Sequence, residues 1–345
     1  MLPLAHHWSP RERVLGLVAL VNFAIAIAAV FVRGDSRPNA STTFAPAWHW
    51  RQAKYIDLTH AIEPHMPIWS AFATPKVGNA VAGNAVDGFI EAGEPFSYGR
   101  HGFVATSVTL PTDQLGTQLD PPAHWNEYGA TISDIPPTVS LRPLAIIDIT
   151  ESVGADPGYH AQVSDVLAYE AAHGTLPWGS VVLFRSGWSK NWAAEATAPS
   201  AAFPGVALET LGFLHKERHI LVHGHEPLDT DMTPSLEGEA WLMHHNYMQI
   251  EGAAHLEGLP AAGCMISIGF AKIAGGTGGY ARLVAICPPD SPVGVTVDEQ
   301  PGAPLPQSKF PLRRDEAGMM VPDEAAVPTQ YCEEGTAALG CPLPL

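Results

Sequence analysis

Four polar side chains crowd one short stretch of this chain: Gln114, Gln118, Asp120 and His124, within Gln114-Leu115-Gly116-Thr117-Gln118-Leu119-Asp120-Pro121-Pro122-Ala123-His124. Only even steps separate them, and in an extended chain even steps place side chains on one face. Gly116 lets the backbone bend or come close to a ligand, and Pro121-Pro122 impose a rigid exit. The face so formed carries amide, carboxylate and imidazole groups, which is what a divalent metal needs. A metal-activated water is one way to hydrolyse an amide or ester at neutral pH. The bland reading has Asp120 capping a turn before Pro121, His124 stacking on Trp125 and the two amides satisfying backbone groups.

The segment resembles the signature of the cyclase / kynurenine formamidase-like hydrolases, His-x-Gly-Thr-His-x-Asp-x-Pro-x-His. Gln114 and Gln118 replace the two leading histidines, while the Gly-Thr, Asp, Pro and final His positions match. The resemblance continues through Asp57-Leu58-Thr59-His60 with the following Pro-and-Trp loop, Ser186-Gly187-Trp188, Phe203-Pro204-Gly205, Glu251 with Leu256, Leu259 and Pro260, and the stretch from Gly276 to Ala285. It implies an α/β chain with the swivelling β/β/α fold, dimeric or higher. It also implies a divalent ion held by Asp120 and His124, with Gln118 and Gln114 at the positions of the missing histidines. An amide oxygen is a poorer zinc ligand than imidazole, so the replacement shifts the expectation from zinc towards manganese. By the same resemblance Glu251 is a metal ligand or general base, against a surface-helix Glu. The family's other metal histidine precedes this Glu. Its spacing lands on Glu239, whereas His244 and His245 lie closer in. His245 is taken, because imidazole is the commoner ligand. Glu251, His124 and His245 are thus the expected catalytic groups.

His225 and Glu226 invite comparison with a zinc-protease helix, but Pro227 interrupts any helix and position 229 is Asp rather than His. The family places a pocket loop here, so His225 and Asp231 become substrate-pocket candidates against simple turn chemistry. Trp69 and Trp188 are candidates for an aromatic wall, although Trp is more often core. No Gly-x-Ser-x-Gly elbow and no Gly-x-x-x-x-Gly-Lys phosphate loop occurs.

Hydrophobic content of 46% with 15% charged residues describes a globular chain. A net charge of −17 without a basic run excludes nucleic acid as a partner, since phosphate neutralisation needs clustered Lys and Arg. Val14 to Val32 is apolar apart from Asn22 and is long enough to span a bilayer. The expected order is a membrane anchor or signal in 1–33, a linker in 34–54, a hydrolase domain in 55–288 and a Pro-rich tail in 289–345. That order makes the chain membrane-anchored or secreted. Cys264 and Cys287 read as buried thiols in apolar runs, and Cys332 and Cys341 could close a disulfide if the domain is exported.

Strands are predicted near Tyr55–His60, Val104–Leu110, Leu144–Ile149, Ser180–Arg185, Ile220–His223, Cys264–Phe270 and Ala281–Cys287. Helices are predicted over Val163–His173, with Ser164 as a possible cap, and over Ala207–Lys216. Alternating strands and helices indicate α/β architecture. Two functions compete. One is a metal-dependent hydrolase of a carbon–nitrogen bond in an arylformamide or small cyclic amide, with lactones as a variant. The other is a non-catalytic, membrane-tethered ligand-binding member of the fold. Metal content separates them.

Overall fold

The computed structural model describes residues 49–305 and 307–326. The predicted N-terminal span, the linker before His49 and the Cys332–Cys341 pair lie outside the described residues. No helix among the described residues is long and apolar enough to cross a membrane.

Among the described residues fourteen strands occur in chain order: β1 (Lys54–Asp57), β2 (Lys76–Asn79), β3 (Thr106–Thr109), β4 (Gln118–Asp120), β5 (Leu141–Asp148), β6 (His160–Ala161), β7 (Val181–Arg185), β8 (Gly205–Val206), β9 (Val222–His225), β10 (Met248–Glu251), β11 (Cys264–Phe270), β12 (Gly279–Cys287), β13 (Leu312–Arg314) and β14 (Met320–Pro322). The α-helices are α1 (Tyr98–His101), α2 (Thr150–Ala155), α3 (Val163–His173), α4 (Trp192–Glu195), α5 (Leu208–Gly212), which runs into a π turn over Phe213–Glu217, and α6 (Glu237–His244).

The main sheet runs β1-β12-β11-β5-β7-β9-β10-β4, and a further β12–β4 pairing closes seven of these strands into a barrel. β12 makes closure possible. One edge pairs with β11, while the other is shared between β1 and, at Gly279 and Tyr280, β4. β5, β7, β9 and β10 are mutually parallel, and the remaining pairs are antiparallel. The result is a mixed α/β fold.

Alternation along the parallel strands separates two cores. Leu144, Ile146, Val181, Leu183, Val222 and Ile250 share the barrel core with Leu119 and Leu283. Ala145, Ile147, Val182 and Phe184 form the other core, with Val166 and Tyr169 of α3 and Leu211 of α5. Each fully buried aliphatic or aromatic side chain of this kind contributes roughly 1.5–3 kcal/mol. Predicted helix α3 has the expected bounds and ends at Gly174, but Gln162 caps it instead of Ser164: the Gln162 N–H donates to Asp165 Oδ2 at 2.7 Å. β9 begins two residues later than expected, because the chain first turns at Ile220 to leave the π turn.

Cys264 and Cys287 are not free thiols. They face each other at the ends of the antiparallel β11–β12 pair, with Cα atoms 4.2 Å apart, and form a buried disulfide. The two apolar runs carry no mark of this register in the sequence. In the tail, β13 and β14 form a hairpin whose Arg314 donates from Nη2 to Thr106 Oγ1 of β3 at 2.9 Å and also contacts Asn79 of β2.

Candidate metal centre

The short strand β4 has the pattern polar-apolar-polar, Gln118-Leu119-Asp120, and β10 repeats it as Gln249-Ile250-Glu251. The two pair antiparallel, with Gln118 opposite Glu251 and Asp120 opposite Gln249. Leu119 and Ile250 enter the barrel core, so the four polar side chains stand together on the other face. Both amides donate to both acids. Gln118 Nε2 reaches Glu251 Oε2 at 2.7 Å and Asp120 Oδ2 at 3.2 Å, and Gln249 Nε2 reaches Glu251 Oε1 at 2.8 Å and Asp120 Oδ2 at 3.4 Å. The Gln249 carbonyl accepts from the Thr230 hydroxyl, which in turn contacts His225 Nε2 at 3.0 Å.

Glu239 of α6 completes the group. Its Oε1 accepts from Trp125 Nε1 at 3.0 Å and lies 3.4 Å from His124 Nε2. Carboxylate oxygens of Asp120, Glu239 and Glu251 all lie within 4.8 Å of one another, and all three residues are buried. No Lys or Arg forms an ion pair with any of them among the described residues. Burial drives the Asp120 carboxyl up to about 7; the charge of His124 opposes this and that of Glu239 adds to it. Glu251 is pushed well above the carboxylate range by burial and then by the charges of Asp120 and Glu239. Burial works against a charged His124, but the hydrogen bond to Glu239 and the charge of Asp120 together raise it.

Three acids this close in a dry place must hold protons or a cation. Among the described residues Asp120 Oδ1, Glu239 Oε2 and Gln118 Oε1 are buried without a hydrogen-bond partner. Three oxygens left unpaired in one cluster fit a hard or borderline divalent ion. This donor set is richer in oxygen than a histidine-bearing one, which suits manganese over zinc.

The supporting backbone explains several residues of the signature. Gly116 has φ +63°, and a Cβ on Gly252 (φ +61°) would lie 2.3 Å from the Gly116 carbonyl oxygen, so both turns require glycine. The Thr117 hydroxyl donates to Gly252 O at 2.6 Å and accepts from the His60 N–H, tying three segments together. Gln114 and His124 lie outside β4 but converge: the Gln114 amide contacts His124 Nδ1.

A cavity of about 400 Å³ opens on this centre. Gln114, Gln118, His124, Asp229, Glu239 and Glu251 supply its polar lining, and Trp69, Phe72, Ile68, Leu115, Leu228 and Leu236 its apolar walls. Trp69 therefore lines the cavity. Trp188 does not; it packs with Met66, Leu115 and Trp192 in a satellite core. Its turn is ordered by buried Glu226, which accepts from Ser186, Trp188 and Ser189. His225 and Asp231 are also absent from the lining. His225 sits behind Thr230. Asp231 accepts from the N–H groups of Thr233 and Gly238, fixing the start of α6, which carries Glu239.

His245 lies outside the centre. It is exposed, its Nδ1 contacts Trp241 O at 2.7 Å and its ring tilts against that of Trp241. Glu239, where the family spacing points, is in the cluster instead. α6 ends at His244 and turns the next side chain outward, so imidazole at 245 does not reach the acids. Gln249 and Asp229 were not singled out from sequence. The repeated Gln-x-acid alternation at 118–120 and 249–251 was the signal for Gln249.

Residues 56–232 match the family described as Putative cyclase. Isatin hydrolase of Roseibium aggregatum is 26% identical over 260 residues, covering 69% of this chain and 93% of the relative. The structure of isatin hydrolase A from Labrenzia aggregata bound to benzyl benzoate superposes with a TM-score of 0.59 at 23% identity, covering 68% of this chain and 94% of that one. A structure described as a potential metal-dependent hydrolase with cyclase activity gives a TM-score of 0.50 at 20% identity, covering 68% and 98%. The match over half of the chain agrees with the resemblance in the signature, and the chain belongs to the Putative cyclase family.

Proposed function

We propose that this chain is a metal-dependent hydrolase that opens the carbon–nitrogen bond of a small cyclic amide or arylformamide. The observation that carries the reading is the buried Asp120–Glu239–Glu251 cluster, whose Glu239 and Glu251 line a cavity with apolar walls. Asp120, Glu239 and Glu251 would hold the ion, with the Gln118 carbonyl oxygen as a further donor and manganese favoured by the oxygen-rich set. When bound, the ion supplies polarisation of the substrate carbonyl and acidification of water.

The chain's own residues do the rest. Gln118 and Gln249 hold the orientation of Asp120 and Glu251 through four N–H donations. Trp125 and His124 fix Glu239. His124 lines the cavity and can accept the proton of the attacking water and return it to the leaving nitrogen. The water oxygen bonds to the carbonyl carbon, the C–N bond breaks and its electron pair stays on nitrogen, which takes the proton. The apolar walls formed by Trp69, Phe72 and Leu228 suit a flat ring. The names of the relatives support hydrolysis, and isatin is itself a cyclic amide.

The test is metal analysis of the purified protein combined with a screen of formamides, cyclic imides and lactones. Stoichiometric divalent metal and turnover of a cyclic amide or formamide are expected. Protein that binds no added manganese or zinc, and turns over none of these, is not such an enzyme.

A further inference from the structure

We propose that Asp229 selects the substrate by accepting its amide N–H, so that the site takes uncharged aromatic amides with a free N–H and turns away those bearing a carboxylate. This rests on the amide-hydrolase reading above and deepens it. Asp229 lines the cavity, yet its carboxylate forms no hydrogen bond and no ion pair among the described residues. Every other acid around the cavity has a donor: Glu239 has Trp125, and Glu251 has both glutamines.

Asp229 is also held still. Two residues before it, the Pro227 carbonyl accepts from the Gly252 N–H at 3.0 Å and contacts His225 Nδ1 at 3.1 Å. Immediately after it, Thr230 is fixed by Gln249 and its carbonyl accepts from the Val206 N–H at 2.8 Å. A carboxylate on a pinned backbone segment, facing a cavity and lacking a donor, is a preorganised acceptor. Among the described residues no Lys or Arg lines the cavity to receive an anionic group. A substrate carboxylate placed against Asp229 would therefore meet a like charge with no Lys or Arg beside it to offset that charge, which disfavours it there.

A site built to receive an N–H discriminates against the analogue lacking it, because its acceptor is left unpaired. The probes are isatin, N-methylisatin and a ring-carboxylated isatin, assayed with the manganese-loaded full chain and with Asp229→Ala and Asp229→Asn. In the wild type kcat/KM for isatin should exceed that for N-methylisatin by about tenfold or more. Asp229→Ala should bring this ratio close to one with metal content unchanged. Asp229→Asn, which keeps the side-chain volume, should admit the carboxylated probe. A wild-type ratio near one, or a ratio that persists in Asp229→Ala, overturns the proposal while leaving the hydrolase reading intact. If no probe is turned over, the hydrolase reading for this substrate class fails by itself. Calorimetric binding of the same pair then decides: tighter binding of the N–H form, lost on substitution of Asp229, upholds the role, and equal binding overturns it. Should Asp229→Ala not fold, Asp229→Asn and the wild-type probe ratio carry the test.

Discussion

Gln118 and Glu251 stand directly opposite each other on β4 and β10, and the Gln118 amide N–H donates to Glu251 Oε2 at 2.7 Å. That register puts a signature position and a residue more than a hundred positions later into one hydrogen-bonded unit. It also gives the amide two roles: its nitrogen orients the acid, and its carbonyl oxygen stays buried and unpaired beside the acid cluster.

Gln118→His tests the second role. Imidazole binds manganese or zinc better than a neutral amide oxygen. The variant is expected to fold and to keep its metal at chelator concentrations that strip the wild type. A chelator titration with metal analysis decides this; easier loss from the variant means that position 118 does not face the ion.

Asp120→Ala is expected to abolish bound metal and to reduce turnover by at least about a thousandfold, since the ion's polarising role goes with it. Without metal the variant should be as stable as the wild type or more so, because one member of a crowded buried acid cluster is gone. Metal stoichiometry, circular dichroism and thermal unfolding of the metal-free proteins check the three parts. Full occupancy with normal turnover would remove Asp120 from the site.

Glu239→Gln and His245→Ala form a matched pair. Glu239→Gln keeps the shape and the Trp125 contact but removes a charge from the cluster. Metal affinity should fall by roughly an order of magnitude or more, as loss of a charged donor predicts. His245→Ala removes only an exposed ring packed on Trp241 and should leave metal content and kcat/KM unchanged. The opposite ranking would restore the histidine as the ligand.

Sequence reading located β7, β11, β12 and α3 closely, because alternation and the 3.6-residue period are local signals. It also singled out Gln118, Asp120 and Glu251, which the fold brings together, through a signature and a motif that each occupy a few residues. What it lost is set by register and by the ends of elements. The Cys264–Cys287 bond follows from how β11 meets β12, and neither apolar run records that pairing. Glu239 against His245 is decided by where α6 stops, a boundary that period alone fixes poorly. Barrel closure depends on two residues of β12 meeting β4, which no local pattern announces.

The disulfide itself is checkable. Cys264 and Cys287 are separated by 23 positions, and closing a loop of that size contributes about 3 kcal/mol through the unfolded state. The double variant Cys264→Ala/Cys287→Ala should be less stable by about that amount in denaturant titration. Thiol counting on denatured, unreduced protein should find this pair unreactive. Two reactive thiols at 264 and 287 would show that the bond does not form.

The pH dependence follows from protons held by the acid cluster. Asp120 is raised to about 7, by burial first, with the charge of His124 opposing and that of Glu239 reinforcing. Asp229 is raised to about 7 by burial and the charges of Glu239 and Asp120. An unfolded Asp titrates near 3.9. Between about pH 4 and pH 7 the metal-free folded state therefore holds protons that the unfolded state has released. Stability rises with pH only where the unfolded state binds more protons, so here it must fall as pH rises through this window. A divalent ion competes with those protons, and its affinity should rise across the same range, by up to about tenfold per pH unit for each proton displaced. Thermal unfolding of chelator-treated protein at pH 5 and pH 7.5, with and without manganese, reads both effects. The metal-free Tm should drop between the two pH values, and the manganese-induced rise should be larger at pH 7.5. A metal-free Tm that climbs with pH, or a manganese effect that does not change, would mean that the cluster is already ionised without a cation.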